Sequence, residues 1–501
     1  MQQSDIFSIS PVTGKKYRIP SENDVATIDA FLSKHKNKKV VVIQGLGFVG
    51  AVMSLICSNA LTEEYAVLGV DLPNEDTYWK IASINEGIFT VKASDPKINE
   101  FFEKTKVQNN FLATYDNYAY AVADIIIVDI NLDVAKNSDF SKNLIGYEVD
   151  LSSFMQGIEA IGNNCREDVL ILVETTVPPG TCSKIIYPSV QNLLTERGLP
   201  AGRFKLGHSY ERVMPGPDYI DSIQNFYRVY SGIDEDSAVE TEKFLRTIIS
   251  TDKYPLTRLG NTTATEMAKV LENSYRAMNI AFIVEWSRFA ELAGVNLYEV
   301  VRAIRMRPTH SNMMFPGIGV GGYCLTKDPL IASWSKQNLF DMILPLEQSE
   351  KSVQINDQMP LFAFNYLKNT FRESLSGKKI LLLGVSYRSN VADTRHSPVE
   401  PFYDYLIAEG AEVSLHDPYV EHWEERPTTI SSDLNQTIEK ENDVIIFCTN
   451  HSDYMNNADM IHLLMQKKPL FIYDTIGVLN EQEINYLQQK HTVKVVGRGD
   501  I

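Results

Sequence analysis

The residues best suited to covalent chemistry lie in the segment GVGGYCLTKDP, residues 319–329. Its lone thiol, Cys324, is followed closely by Lys327 and Asp328. Glycines let a backbone approach a ligand, while a nearby cation can stabilise a thiolate and a carboxylate can hold a water molecule. The segment therefore predicts a cysteine nucleophile. Most free cysteines, however, are small buried hydrophobic residues, and that alternative stays open at this point.

A second segment has the pattern of a dinucleotide-binding turn. From Lys39 the chain reads KVVVIQGLGFVGAVMSLICSNA, which is an apolar strand, a glycine turn and a helix. The first glycine permits a tight turn, the second lets a pyrophosphate approach the backbone, and the third lets the helix pack on its strand. The cofactor-binding residues predicted in this turn are Gly45, Gly47, Phe48, Val49 and Gly50.

The next predicted strand, YAVLGVD, ends in an acidic residue, Asp71. A carboxylate at this position accepts hydrogen bonds from the adenosine ribose and would repel a 2′-phosphate. The pattern therefore favours NAD over NADP as the cofactor. The alternative is a cluster of loop glycines in an unrelated α/β fold.

The elements that must hold these residues indicate an α/β protein. The strands ADIIIVDI, DVLILVETT, FKLGHSY and NFYRVYSG predict a parallel sheet with crossover helices. Residues 265–304 carry apolar residues at helical spacing, which predicts a long helix and a second helix after Gly294. A second α/β layer begins at KKILLLGVSYR, whose turn lacks the full glycine fingerprint and should not bind a second dinucleotide in the same manner.

A chain of 501 residues is long enough for about three domains. We predict an N-terminal extension over residues 1–37 with a helix in DVATIDAFLSKHKNK, and an NAD-binding domain over 38–255. A central helical domain with Cys324 is predicted over 256–350, and a nucleotide-sugar-binding, Rossmann-like domain over 351–501. The long helix offers a surface for a homodimer.

Composition narrows the partners and the compartment. The net charge of −17 opposes binding to nucleic acid or to anionic membranes. Neither a signal peptide nor an apolar run long enough to span a membrane is found. Five scattered cysteines favour a reducing cytoplasm, and the nine histidines show no metal-binding pattern.

Seven ordered motifs together resemble the nucleotide-sugar 6-dehydrogenases of the UDP-glucose/GDP-mannose dehydrogenase family. They are GLGFVG, KIASINEG (80–87), ETTVPPGT (174–181), ERVMPG (211–216), AKVLENSY, GVGGYCLTKDP and GVSYRSNVADTRHSP (384–398). The resemblance implies two Rossmann-like domains joined by a long central helix that also dimerises. It implies oxidation of the C6 alcohol of a nucleotide-linked hexose to a carboxylate, with reduction of two NAD, through a thiohemiacetal and a thioester on a cysteine.

Carried over residue by residue, the resemblance makes Cys324 the nucleophile. Lys269 and Asn273 match the pair that stabilises oxyanions near C6, and their spacing of four places both on one helix face. Asp328 matches the carboxylate that positions the hydrolytic water together with Thr176. Lys269 could instead be a solvated helix residue, and Thr176 could only shape the turn before the following proline.

The family's paired-glutamate motif is only half present. Glu211 matches the first glutamate, whereas Pro215 stands where the UDP-glucose enzymes have the second. The ERVMPG form resembles that of enzymes acting on UDP-N-acetylhexosamines, so the resemblance implies an N-acetylated hexose. Lys327 and Arg395 match positions near the cofactor, where both could neutralise its pyrophosphate.

Several expected substrate contacts depart from the family pattern. Arg388 replaces a lysine that meets the nucleotide-sugar phosphates, and either Arg388 or Arg395 could instead be a surface ion-pair partner. Tyr323 replaces a histidine, and His310 lies near the place of an arginine that reaches the neighbouring subunit's site. The segment VDINLD (128–133) lacks the usual threonine-proline turn. The predicted substrate-binding residues are Arg388, Gly321, Tyr323 and His310.

Three functions compete on the sequence alone. The leading one is the four-electron oxidation of a UDP-N-acetylhexosamine to a uronate for a surface polysaccharide. A two-electron hydroxyacid-type dehydrogenase would need neither Cys324 nor the C-terminal domain. A sugar-nucleotide binder without activity would not need Cys324, Lys269, Asn273 and Asp328 together. The sugar epimer and the choice between UDP and GDP stay open.

Overall fold

The computed structural model describes residues 6–91, 94–213, 216–371, 374–423 and 425–501. The chain forms two compact units, and both are discontinuous in sequence. Unit 1 comprises Met1–Asp133, Val149–Val270 and Trp334–Asp341. Unit 2 comprises Val134–Glu148, Leu271–Ser333 and Met342–Ile501. The four linear domains expected from the sequence remain a prediction.

The elements are numbered in chain order. The strands are β1 Phe7–Ile9, β2 Lys16–Arg18, β3 Lys39–Gln44, β4 Tyr65–Val70, β5 Phe111–Thr114, β6 Ile125–Val128, β7 Asp133–Ser138, β8 Leu144–Asp150, β9 Leu170–Val173, β10 Lys205–His208, β11 Val229–Gly232, β12 Thr257–Arg258, β13 Lys379–Leu383, β14 Glu412–His416, β15 Ile430–Ser431, β16 Val444–Phe447, β17 Phe471–Asp474 and β18 Thr492–Val495. The helices are α1 Val25–Ser33, α2 Phe48–Ser58, α3 Tyr78–Asn85, α4 Pro96–Gln108, α5 Tyr118–Ala121, α6 Ser152–Asn164, α7 Tyr187–Glu196, α8 Tyr219–Gln224, α9 Glu235–Ile248, α10 Thr262–Ala293, α11 Leu297–Arg305, α12 Asp328–Asn338, α13 Glu347–Phe371, α14 Val399–Ala408, α15 Leu434–Glu439, α16 Ala458–Gln466 and α17 Glu481–Leu487. A π-helical turn, Cys182–Ile186, precedes α7, and a 3-10 turn, Pro308–His310, follows α11.

Unit 1 contains an eight-stranded sheet in the order β12-β11-β10-β9-β6-β3-β4-β5. The strands are apolar and β-branched, and helices cover both faces, so two separate hydrophobic clusters form on the two sides. The fold prediction is confirmed, with one difference in strand direction. Strand β11, predicted as part of a parallel sheet, runs antiparallel to β10. The apolar run NFYRVYSG specifies a buried strand but not its direction.

Unit 2 contains a six-stranded sheet in the order β15-β14-β13-β16-β17-β18, and all its pairs are parallel. This is the doubly wound order, with a switch point between β13 and β16. The central strands are fully buried between two apolar clusters. Ligands bind such sheets at the carboxyl ends of the strands on either side of the switch point.

The long helix predicted from the apolar spacing is α10, and the second helix predicted after Gly294 is α11. Gly294 adopts a positive φ of 71°, which ends α10 in the left-handed region that glycine tolerates. Asn296 then caps α11 by accepting hydrogen bonds from the backbone N–H groups of Tyr298 and Glu299. Thus α10 is one uninterrupted element that carries both Lys269 and Asn273.

The N-terminal extension has more structure than its sequence predicted. The helix expected there is α1, but residues 7–18, which are polar and aperiodic, also form a β1–β2 hairpin. Within the described part of the chain, none of the helices has the length and hydropathy needed to cross a bilayer.

Candidate functional site

The three glycines of the unit 1 turn differ in what a Cβ atom added at each position would contact. Gly45 has a φ of +98°, and a Cβ there would lie 2.7 Å from the carbonyl oxygen of Asp129. A Cβ on Gly50 would overlap the carbonyl oxygen of Gly45 and lie 3.2 Å from Ile43 Cγ2. A Cβ on Gly47 would meet no protein atom within 4 Å. The first and third glycines are therefore required by the protein itself, whereas Gly47 leaves open space for a ligand.

Helix α2 begins directly after this turn. Gly47 is its N-cap, and no side chain caps the helix. The backbone amides of the first turn, at Phe48, Val49 and Gly50, are thus presented at the positive end of the helix, where a pyrophosphate is favoured. The predicted cofactor-binding residues of the turn are brought together in this cradle.

Asp71 follows β4 and fixes the cradle from the side. Its Oδ2 accepts a hydrogen bond from the Leu46 N–H at 3.1 Å and lies 3.4 Å from Lys80 Nζ, while its Oδ1 accepts from the Leu72 N–H at 2.8 Å. The carboxylate therefore lies beside the glycine turn, where an adenosine ribose is expected. These residues fit NAD, whose nicotinamide would supply the hydride acceptor for an oxidation.

Lys269 and Glu211 are brought together in unit 1. Lys269 Nζ donates a hydrogen bond to the Glu211 carbonyl oxygen at 2.9 Å and lies 3.7 Å from Glu211 Oε1. Their side chains are only 9% and 13% exposed, which argues against a solvated surface lysine. Glu211 Oε2 accepts from the Val213 N–H at 2.5 Å, so the carboxylate is held in place.

A buried charged cluster in the same unit was missed by the sequence analysis. Arg228 Nη2 donates to Glu174 Oε1, and Arg228 Nε donates to Ser209 Oγ at 3.0 Å. Burial raises the pKa of Glu174 to about 7, although Arg228 opposes the shift. Burial, followed by the nearby Glu174 and Glu211 carboxylates, raises the pKa of Asp129 well above its ordinary value. Asp129 Oδ2 and Glu174 Oε2 are buried without a hydrogen-bond partner among the residues described.

The sequence pattern that could have revealed this cluster is an acidic residue directly after each of two apolar strands. Asp129 follows β6 in VDINLD, and Glu174 follows β9, so both lie at the carboxyl edge of the sheet. His208 ends the next strand, and its pKa is lowered to about 3 by burial and by the positive charges of Arg228 and Lys269. The imidazole is therefore neutral, and its Nδ1 hydrogen-bonds with Thr265 Oγ1 at 2.9 Å.

Unit 2 holds Cys324 in a tightly packed loop. Of the five free cysteines, Cys57, Cys165, Cys182 and Cys448 are buried and Cys324 is exposed. The backbone N–H groups of Lys327 and Asp328 donate to the Cys324 carbonyl oxygen at 3.2 and 2.9 Å, which places the thiol at the start of α12. Because Cys324 is exposed, the alternative interpretation of this cysteine as a small buried hydrophobic residue is wrong.

The glycines before Cys324 pack against the loop after β13. A Cβ on Gly321 would overlap Tyr387 Cβ and lie 2.8 Å from the His396 carbonyl oxygen. The Gly322 N–H donates to the Arg395 carbonyl oxygen at 3.1 Å. The loop that carries the thiol is therefore fixed by the carboxyl edge of the unit 2 sheet.

Asp328 is the most enclosed polar residue of this loop, with a relative exposure of 0%. Its Oδ2 accepts from Asn273 Nδ2 at 2.6 Å, and its Oδ1 accepts from Lys327 Nζ at 3.2 Å. Lys327 Nζ also lies 4.4 Å from the centre of the Tyr323 ring. Four predicted residues, Asn273, Tyr323, Lys327 and Asp328, thus form one connected group next to Cys324.

The predicted arginines differ in their surroundings. Arg395 forms a bidentate ion pair with Asp393, in which its Nε donates to Oδ1 at 2.9 Å and its Nη2 donates to Oδ2 at 2.7 Å. The side chain of Arg388, in contrast, is exposed. Tyr387, which the sequence analysis did not select, lies close to both. Its pKa is raised to about 12, mainly by burial and then by Asp393, and the Cys324 sulfur acts in the same direction.

The other predicted residues are less closely tied to these groups. Thr176 is half-buried in the loop after β9. His310 ends the 3-10 turn, where its Nδ1 hydrogen-bonds with Thr309 Oγ1 at 2.9 Å. Pro215 lies outside the described residues. In the described ranges, no group of three or more His, Cys, Asp or Glu residues is arranged to hold a metal ion.

Comparison with protein families gives matches over most of the chain. Residues 38–249 match the NAD binding domain of the UDP-glucose/GDP-mannose dehydrogenase family. Residues 263–358 match the central domain of that family, and residues 381–481 match its UDP binding domain. The glycine turn and the Cys324 loop both lie in matched segments.

Curated relatives and solved structures agree with these matches. The UDP-N-acetyl-D-mannosamine dehydrogenase of Methanocaldococcus jannaschii is 30% identical over 70% of this chain and 75% of its own. The enzyme of that name from Pyrococcus horikoshii is 28% identical over 92% of this chain and 100% of its own. The structure of the Pyrococcus horikoshii UDP-D-ManNAc dehydrogenase superimposes with a TM-score of 0.76 at 25% identity, covering 92% of this chain and 100% of that one. The NDP-N-acetyl-D-galactosaminuronic acid dehydrogenase of Methanosarcina mazei Go1 gives a TM-score of 0.74 at 26% identity, covering 94% of this chain and 98% of that one.

Proposed function

Because the chain belongs to the UDP-glucose/GDP-mannose dehydrogenase family and is an NAD-dependent nucleotide-sugar dehydrogenase, we propose that it oxidises the C6 alcohol of a UDP-N-acetylhexosamine to the uronate. One observation in particular supports the four-electron reaction. Cys324 is exposed and lies near the buried carboxylate of Asp328, which Asn273 and Lys327 hold in place. UDP-N-acetyl-D-mannosamine is the first substrate to test, since several relatives carry the name of its dehydrogenase. The uronate would serve surface-polysaccharide synthesis in the cytoplasm.

NAD, when bound, accepts one hydride in each of the two oxidations. The first oxidation converts the C6 alcohol to an aldehyde. The Cys324 thiolate then adds to the aldehyde carbon and forms a thiohemiacetal, which is oxidised to a thioester. Water cleaves the C–S bond of the thioester, releasing the carboxylate and regenerating the thiol. In sum, one alcohol and one water give one carboxylate, two hydrides and three protons.

In this proposal, Lys269 and Asn273 stabilise the negative charge that develops on the C6 oxygen. They lie one helical turn apart on α10, and each can donate hydrogen bonds. Glu211 holds the Lys269 ammonium through its carbonyl oxygen, and its carboxylate is a candidate acceptor for the proton of the alcohol. Each oxyanion is thus met by donors that the fold already holds in place.

Thioester hydrolysis needs a group that orients a water molecule. We assign this role to Asp328, with Thr176 as a second hydrogen-bond partner of the water. Asp328 is held by Asn273 and Lys327, so its carboxylate cannot turn away from the loop that carries the thiol.

The remaining polar residues are assigned to binding. Lys327 and Arg395 would neutralise phosphate charge on the cofactor, and the exposed Arg388 would contact the phosphates of the nucleotide sugar. Gly321, Tyr323 and His310 are proposed contacts of the sugar. The match of residues 381–481 to the family's UDP binding domain supports a nucleotide-sugar substrate and counts against a two-electron hydroxyacid dehydrogenase. The names of the relatives favour UDP over GDP.

The test is a substrate comparison with a count of hydrides. UDP-N-acetylmannosamine, UDP-N-acetylglucosamine, UDP-N-acetylgalactosamine, UDP-glucose and GDP-mannose are each incubated with NAD, and the acid is identified by mass. We expect two NADH per sugar on an acetylated UDP-sugar, and loss of acid formation with intact NAD binding in Cys324→Ser. One NADH per sugar, or full acid formation by Cys324→Ser, would refute the four-electron proposal.

We also propose a homodimer through α10. Its unit 2 segment presents an exposed apolar stripe at helical spacing, consisting of Leu271, Tyr275, Phe282, Trp286 and Phe289. Aromatic residues are enriched at interfaces, and a second copy offers the same stripe by symmetry. Light scattering should show a dimer that Trp286→Glu dissociates. Val107→Glu, at an 87% exposed apolar residue on α4, should leave it intact. A monomeric wild-type protein would refute the dimer.

A further inference from the structure

We propose that the β1–β2 hairpin is a positioning element for the adenosine side of the NAD site. It precedes residue 38, where the match to the NAD binding domain begins. The hairpin fastens the loop and helix that run from Asp71 to Glu86, and so holds the ribose-binding carboxylate and its lysine partner in their binding geometry. The inference rests on NAD binding and is independent of which sugar is oxidised.

Ser8 on β1 makes the first connection. Its side chain is fully buried, and its Oγ donates to the Glu75 carbonyl oxygen at 2.6 Å while accepting from the Trp79 N–H at 3.0 Å. One hydroxyl therefore joins the loop after Asp71 to the first turn of α3. Residues 72–76 of this loop are exposed, so they gain little support from burial.

Tyr17 on β2 makes the second connection, at the other end of α3. Its hydroxyl accepts from Ser83 Oγ at 3.2 Å and donates to Glu86 Oε2 at 3.1 Å. Lys15 Nζ donates to the same Glu86 carboxylate at 2.6 Å. The hairpin is therefore attached to both ends of the helix.

The loop that Ser8 holds precedes α3 and leads back to the glycine turn that would bind the cofactor. Asn74 Oδ1 accepts from the N–H groups of Asp76 and Thr77, which closes a turn. Lys80 on α3 lies 3.4 Å from Asp71, whose carboxylate accepts from the Leu46 N–H of the glycine turn. Hydrogen bonds, one ion pair and the short stretches of chain between them thus connect Ser8 to the residues that would hold the adenosine ribose.

A ligand binds more weakly when only a fraction of the protein has the competent geometry, and the apparent Kd rises by the inverse of that fraction. Without the Ser8 hydroxyl, the Glu75 carbonyl and the Trp79 N–H lose their partner, and the exposed loop can leave the bound geometry. We expect the NAD Kd of Ser8→Ala to rise about tenfold. This factor corresponds to the free energy of one lost buried hydrogen bond.

The experiment measures NAD binding by calorimetry in the absence of a sugar, together with UDP binding in the absence of NAD. Three variants are compared with the wild type. They are Ser8→Ala, a truncation of residues 1–20 that keeps α1, and Thr13→Ala as the matched control. Thr13 is exposed in the hairpin turn, and its Oγ1 accepts only a local hydrogen bond from the Lys15 N–H. Amide hydrogen exchange of residues 72–80 is followed in the NAD-free protein.

The proposal predicts weaker NAD binding and faster exchange of residues 72–80 in Ser8→Ala, with unchanged UDP binding and a control that behaves as wild type. The truncation should show a larger loss of the same kind. Unchanged NAD binding and exchange in Ser8→Ala would overturn the proposal, whatever the truncation does. An equal loss of NAD and UDP binding would also overturn it, because it would indicate general destabilisation.

Discussion

Replacing Gly47 by alanine tests whether this glycine is needed to bind the cofactor and not to stabilise the fold. Gly47 has a φ of −76° and a ψ of −163°, which alanine adopts without strain, and its Cβ would meet no protein atom within 4 Å. The free energy of unfolding of the NAD-free protein should therefore change by less than about 1 kcal/mol, because the lower entropy of the unfolded chain with alanine and the weaker N-cap preference of alanine oppose each other. A bound pyrophosphate, however, would have to move away from the first amides of α2. Losing one or two such charged hydrogen bonds costs about 1.5–3 kcal/mol each, which raises the NAD Kd at least tenfold.

Two further glycines give matched comparisons. In Gly50→Ala the new Cβ would overlap the Gly45 carbonyl oxygen, so the variant should lose both stability and NAD binding. Gly146 on β8 also has no atom within 4 Å of an added Cβ, and Gly146→Ala should change neither. Calorimetric titration with NAD and urea unfolding measure the two effects separately. Wild-type NAD affinity in a folded Gly47→Ala variant would refute the placement of the pyrophosphate at this turn.

Two other predictions follow from the buried polar groups. Asn273→Ala removes a donor from the fully buried Asp328, so kcat should fall about tenfold or more while NAD affinity is kept; equal kcat would show that the hydrogen bond is dispensable. Burial raises the pKa values of Glu174 and Glu266 from 4.5 to about 7, so the native state holds protons that the unfolded state releases. The free energy of unfolding should therefore fall as pH rises from 4.5 to 7, with Glu266 contributing up to about 3 kcal/mol, and urea unfolding of Glu266→Gln should show a smaller fall. Identical pH profiles for Glu266→Gln and wild type would contradict the second prediction.

The sequence predicts those parts of the fold and site whose signal is local. The β3–α2 turn, α10 and the Cys324 loop are each encoded by consecutive residues or by helical spacing. The Lys269–Glu211 pair was expected only as two separate motifs, and the structure adds the contact between them. Local patterns indicate what a residue can do, but not always which distant residue it meets.

The features that were missed depend on contacts between distant segments. Arg228 directly precedes the apolar strand β11, and its buried partner Glu174 is more than fifty residues earlier in the chain. The antiparallel direction of β11 depends on the path of the chain through α8, which no local pattern specifies. The β1–β2 hairpin has strands of three residues each, too short for alternation to be recognised.

The covalent role of Cys324 is tested most directly by peptide mass spectrometry of the Asp328→Asn variant. The variant is mixed with NAD and the nucleotide sugar that supports NADH formation, and the reaction is quenched within one turnover. Slow hydrolysis should leave a uronyl thioester on Cys324 that hydroxylamine removes and that Cys324→Ser cannot form. Acid formation with an unmodified Cys324, together with full activity of Cys324→Ser, would contradict the account.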